Sequence, residues 1–188
     1  MFRSKFFGVL PIALTFFALT SLQSANAAVV RQADLPELVA ISDVVVHAFV
    51  SQTYTGEQKG FFTGIELEVV AWLKGEGERS ATLTLQLPGG EQSRFRQELS
   101  GMPHLKPGDE VVLLLERTPQ GRHIFTGLSQ GVFFVLRGDK RTLAIRDLGP
   151  LLLIAPSGEH IHGENVVDKP LDLSVLLERI RDLVGMNP

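Results

Sequence analysis

From Asp43 to Arg146 the apolar residues of this chain recur at every second position, a period that belongs to strands. Val44, Val46, Ala48 and Val50 alternate with Asp43, Val45, His47 and Phe49, and the β-branched content favours an extended backbone. A polar stretch, Thr53 to Lys59, predicts a turn. The second strand puts Ile65, Leu67, Val69, Ala71 and Leu73 on one side and Glu66, Glu68, Val70 and Trp72 on the other. In the third, Ala81, Leu83, Leu85 and Leu87 face in while Thr82, Thr84 and Gln86 face out. One buried and one wetted face is the signature of an antiparallel sheet. The run Glu110 to Glu116 is apolar on both faces, which predicts a central position. Further strands are predicted over 122–126, 132–137 and 142–146, the last two joined by a tight turn at Gly138-Asp139. Leu151 to Ile154 reads as another strand or a strap over the core.

Helical spacing is confined to the two ends of the domain. Asp34 to Ile41 predicts a short helix capped by Asp34, with Glu37 three residues on as in a capping box and Leu35, Leu38 and Ile41 on one face. Leu173, Leu176, Leu177, Ile180, Leu183 and Val184 predict a C-terminal amphipathic helix over 172–184 that Gly185 stops. Residues 28–33 read as a loose lead, 155–170 as mostly loop, and 88–108 as one long polar loop. The expected fold class is mainly β: a small OB-like closed or partly open antiparallel barrel, with a short N-terminal helix and a C-terminal helix plugging one side. Closure would remove the exposed strand edges that invite aggregation.

The first 27 residues predict a cleavable export signal. Arg3 and Lys5 precede an apolar stretch from Phe6 to Leu22, interrupted by Pro11, and Ala25-Asn26-Ala27 has the small-x-small form that signal peptidase accepts. Residues 28–188 then make a single domain with no stable membrane span. The chain has no cysteine, so it holds together without disulfides, and thiol catalysis and Cys-ligated zinc are excluded. These features together predict a bacterial periplasmic or extracellular protein. The formal net charge is −3, and it becomes more negative when Arg3 and Lys5 leave with the signal. A nucleic-acid binder needs the opposite sign on its contact face.

The order of several motifs adds a resemblance. Leu38 to Val46, Glu66 to Val69, Leu73-Lys74-Gly75, Pro88-Gly89-Gly90, Pro107 to Leu115 and Gly127 to Phe133 follow one another in a pattern that resembles a group of uncharacterised exported bacterial proteins. Their opening half is similar to the OB-like barrel of netrin-type modules and tissue inhibitors of metalloproteinases. The resemblance covers roughly residues 34 to 137 and implies a fold. The inhibitors place the amine and carbonyl of an N-terminal, disulfide-tethered cysteine on a zinc ion. This chain would begin at Ala28-Val29-Val30, so that chemistry does not transfer.

Few residues suggest chemistry of their own. No nucleophile elbow or phosphate loop occurs: Gly127-Leu128-Ser129-Gln130-Gly131 has the wrong spacing, and Pro88-Gly89-Gly90 lacks the lysine and hydroxyl residue. His47 reads as a hydrogen-bonded, half-buried strand residue, and Glu66 with Glu68 as a wetted face. The leading expectation is a non-enzymatic module that needs no cofactor and binds a protein or glycan partner. Its contact surface would be the 88–108 loop, with Arg94, Phe95, Arg96 and His104, together with Gln130. Two guanidinium groups flanking an aromatic ring suit an acidic group on the partner. The alternative is a metal-binding protein or metal-dependent hydrolase using His160 and His162, whose spacing puts both imidazoles on one side of an extended segment.

Overall fold

A computed structural model describes residues 27–57, 61–77, 81–92, 95–97 and 99–186, with the backbone alone at 61, 91, 92, 95 and 96. The expected leader, apart from Ala27, and Arg94 lie outside the described residues. The elements in order are β1 (Ala28–Arg31), α1 (Leu35–Ile41), β2 (Val44–Glu57), β3 (Phe61–Lys74), β4 (Thr82–Pro88), β5 (Gly90–Gln92), β6 (Phe95–Gln97), β7 (Glu110–Arg117), β8 (His123–Phe125), β9 (Val132–Arg137), β10 (Thr142–Ile145), β11 (Leu151–Ile154), β12 (His160–His162), β13 (Leu171–Asp172) and α2 (Leu173–Met186). The protein is mainly β, and the described residues hold two α-helices, one near each end.

The main sheet has eight strands. Its order is β13-β10-β9-β7-β2-β3-β4, and β8 pairs with the far half of β7. Central placement of β7 follows from its composition: Val111 to Leu115 are all fully buried. β2 pairs with both β3 and β7, and its register against β3 shifts between Val45 and Val46, His47 and Ala48, and Val50 and Gln52. Such bulges bend and twist a strand. The bending brings β4 round towards β8 without ladder hydrogen bonds between them, so the sheet forms a partly open barrel.

Around β7 both faces of the curled sheet are dry, while the outer face of β4 is exposed. Inside lie Val46, Ala48, Ile65, Leu67, Leu85, Leu113 and Leu115. Outside, Val45, Val112, Leu114, Phe133 and Val135 are covered by Leu38 and Val39 of α1 and by Leu173, Leu176 and Ile180 of α2. The C-terminal helix therefore lies against the outer face beside α1. The barrel interior is stoppered instead by Met102 and Leu105 from the long loop.

Several local expectations change. Residues 28–31 are a strand, β1, paired in parallel with β11 from Ala28↔Leu151 to Arg31↔Ile154. β11 also pairs with β12, giving a three-stranded satellite sheet over Leu148, Leu151 and Leu153. Asp34 caps α1, its Oδ1 accepting from the Glu37 N–H at 2.9 Å, but the Glu37 carboxylate pairs with Arg31 and Ile41 is exposed. β2 continues through the expected turn as far as Glu57, because both faces of a solvated hairpin arm can be polar. The 88–108 region contains the β5–β6 hairpin. α2 runs through Gly185 to Met186. No helix among the described residues is long and apolar enough to cross a membrane.

Candidate binding groove

A groove of about 220 Å³ opens at the mouth of the barrel, between the β2–β3 hairpin and the loop that follows β6. Its floor is Ile65 and Leu87, neighbours of the buried interior on β3 and β4. Thr55 and Thr63 form one wall; they sit opposite each other in the β2–β3 ladder. Leu99, Met102, Pro103, His104 and Leu105 form the other. Leu99 is 40% exposed at the edge of the groove.

Pro88-Gly89-Gly90 closes one end, and the glycine pair is needed there. Gly89 and Gly90 have φ of 97° and 149°, a region that side chains disfavour. A Cβ on Gly90 would meet Thr55 Cγ2 at 2.9 Å. The Gly89 carbonyl accepts from Thr63 Oγ1 at 3.2 Å, so the end of β4 is tied to the wall. Among the described lining residues none is Asp, Glu, Lys or Arg.

The loop wall is fastened from behind. Gly101 is buried with φ of 81°, and its carbonyl accepts from the Ser129 hydroxyl at 2.8 Å and the Ser129 N–H at 3.2 Å. Further on, Asp109 Oδ2 accepts from the Lys106 N–H at 2.9 Å, and the Gly108 N–H donates to the Val50 carbonyl. The 88–108 segment reads as one long polar loop, and these bonds make its second half part of the barrel's rim.

The predicted contact residues separate. His104 is exposed and lines the groove. Phe95 and Arg96 lie on β6, opposite Gln92 and Glu91. Gln130 is not on the surface. It is 2% exposed, and its amide donates to the carbonyls of Arg31 and Gly127 at 3.0 and 3.3 Å and accepts from the Ala33 N–H at 2.9 Å. A buried amide is stable only when paired in this way. Leu99 and Met102 lie within the expected 88–108 surface without having been singled out, whereas Thr55 and Thr63 were missed.

Ionisable groups also gather away from the groove, and two of these places concern residues singled out in the sequence. His47 is nearly buried, and its Nε2 lies 2.8 Å from Glu110 Oε1. Glu110, also buried, receives a bidentate pair from Arg137. Hydrogen bonding to Glu110, then the carboxylate's charge, raises the Arg137 guanidinium above its ordinary value. Glu110 was read only as the start of an apolar strand. His160 and His162 are both exposed on β12, on one side of a segment whose middle residue, Ile161, is half-buried. Among the described residues no group of three or more His, Cys, Asp or Glu side chains is placed to hold a metal ion.

Comparison with family models, curated proteins and solved structures finds no match to this chain.

Proposed function

We propose that this chain is an exported, non-enzymatic binding module of the periplasm or cell exterior, and that the groove at the barrel mouth seats one large apolar side chain of an extended protein segment. The observation that carries the reading is the groove's lining: mostly apolar side chains, with two threonines, Gln97 and His104 as the polar ones and no Asp, Glu, Lys or Arg among the described residues. At 220 Å³ it is smaller than the roughly 300–1,000 Å³ of sites that enclose a small molecule. It suits the anchor residue of a protein contact, where one buried side chain supplies much of the affinity. A glycan site would favour aromatic platforms and carboxylates, and the described lining residues other than Gln97 and His104 are apolar or hydroxylic. The sequence resemblance to OB-like modules supports a binding role in general, since such barrels hold ligands on a strand face and neighbouring loops.

Photo-crosslinking from position 99 tests this. The probe, placed at Leu99 in one sample and at exposed Val167 in another, is irradiated in an extract of the exported fraction. Protein adducts specific to position 99, weakened by Met102→Asp in the same chain, support the reading. Identical adducts from both positions, or a glycan as the specific adduct, overturn it.

A further inference from the structure

β1 begins one residue beyond the expected cleavage point, and every residue that would follow the cut is held in place. Ala28, Val29, Val30 and Arg31 pair with Leu151 to Ile154. The Gln32 N–H donates to the Ile154 carbonyl at 2.8 Å, and the Ala33 N–H donates to Gln130 Oε1. The buried Gln130 clamps the strand's end through Arg31 and Ala33 together. At the other end, the close fit of Ala28, Leu151 and Leu128 around Gly101 leaves no room for even a methyl group there. A Cβ on Gly101 would lie 2.7 Å from the Ala28 Cβ and 2.8 Å from Leu151 Cδ2.

A peptidase binds its substrate as an extended strand in its own cleft, with several residues on each side of the bond free of other pairing. Cleavage of a folded chain therefore samples only the fraction of molecules in which the segment has opened. Here opening requires the first residues of β1 to leave β11, and the bonds of Gln130 to Arg31 and Ala33 hold the far end of the strand against it.

We infer that the Ala27–Ala28 bond is a processing site available only before β1 docks, so that removal of the leader and completion of the satellite sheet compete. The inference rests on the reading of residues 1–27 as a cleavable leader. Water adds across the Ala27–Ala28 amide, leaving a carboxylate on Ala27 and an amine on Ala28. The new terminus then becomes the first paired residue of β1. Because Ala28 packs on Gly101, whose carbonyl Ser129 holds, docking also sets the backbone directly before the groove wall at Met102. A precursor that folds too early keeps its leader.

An order-of-addition experiment on the full-length chain tests this. Denatured precursor in detergent is diluted into buffer that already contains a membrane signal peptidase, or is folded first and then mixed with it. Mass spectrometry follows release of the fragment beginning at Ala28. Cleavage should be at least about tenfold slower after folding, which corresponds to an opening cost of some 1.4 kcal/mol. Gln130→Ala, far from the scissile bond in sequence, should recover much of that rate in the folded arm while leaving the unfolded arm unchanged. If Gln130→Ala fails to fold, Leu153→Ala, a buried residue of β11 paired with Val30, serves as the second loosening variant. Equal rates in the two arms overturn the protection while leaving the leader reading intact. Absence of a cut at 27/28 in the unfolded arm overturns the leader reading and the inference with it.

Discussion

Glu110 and Arg137 meet edge to edge across the β7–β9 ladder, with Arg137 Nε on Oε2 at 2.6 Å and Nη2 on Oε1 at 2.7 Å. The carboxylate is 5% exposed and the guanidinium 62% exposed, so the pair runs from the protein interior to water. His47 meets the same carboxylate from the β2 side. Glu110 is thus satisfied on both oxygens, and the arginine head is fixed in a single orientation.

This arrangement predicts an unusual order of stabilities. Arg137→Gln strands a buried carboxylate with only His47 beside it, and a buried charge that loses its partner is costly. Replacing Glu110 with Gln in the same chain removes that stranded charge. The double variant should therefore unfold at a higher urea concentration than Arg137→Gln alone. A double variant less stable than either single change would show that the pair is not coupled in this way.

The two dry faces of β7 predict a second result. Leu113 points into the barrel and Leu114 points under the helices, and both are fully buried. Truncating either to Ala should cost about 2–5 kcal/mol, as buried leucines do elsewhere. Leu136, on the neighbouring strand β9, is 51% exposed, and its truncation should stay within about 0.5 kcal/mol. Urea unfolding of the three variants checks this. A Leu114→Ala effect as small as that of Leu136→Ala would mean that the helices do not seal the outer face.

Much of this fold was legible because neighbouring residues carried it. The alternation in β4, the two-faced run of β7 and the Asp34 cap of α1 each depend on residues close together in sequence. β1 was not legible: Ala28 to Arg31 is too short to show a period, and its partner β11 lies near the other end of the chain. The groove was half legible. Pro88-Gly89-Gly90 marks its closed end, but its walls come from segments brought together only when the sheet curls. Gln130 misled because a glycine-flanked polar residue reads as surface. Its burial depends on the backbone of residues 31 and 33, which no local pattern announces.

Two glycines with left-handed backbones separate strain from crowding. Gly108 has φ of 92° and no atom within 4 Å of where a Cβ would sit. Gly108→Ala should cost only the left-handed penalty, roughly 1–2 kcal/mol. Gly101 has φ of 81° and is enclosed by Ala28, Leu151 and Leu128. Gly101→Ala should cost clearly more, and it should loosen β1 as well. Urea midpoints compared at constant slope measure the difference. A Gly101→Ala midpoint equal to that of Gly108→Ala would mean that the surrounding side chains yield without cost.

His123 gives the fold a pH dependence of definite sign. Burial first, and then the positive charge of Arg117, lower its pKa from the ordinary 6.5, with Asp43 opposing. Its Nε2 is buried without a hydrogen-bond partner. The folded chain therefore takes up this proton less readily than the unfolded chain, and unfolding binds protons in the window below 6.5. The contribution to stability is complete above that value and is lost as pH falls towards the depressed folded-state value. Replacing His123 with Phe removes the titrating group and keeps an apolar ring in the same half-buried strand position. Between pH 7.5 and pH 5, the melting temperature of the His123→Phe variant should fall less than that of the unaltered protein. An equal fall in both would place the acid sensitivity on other groups, because a chain without this imidazole cannot pay its protonation cost.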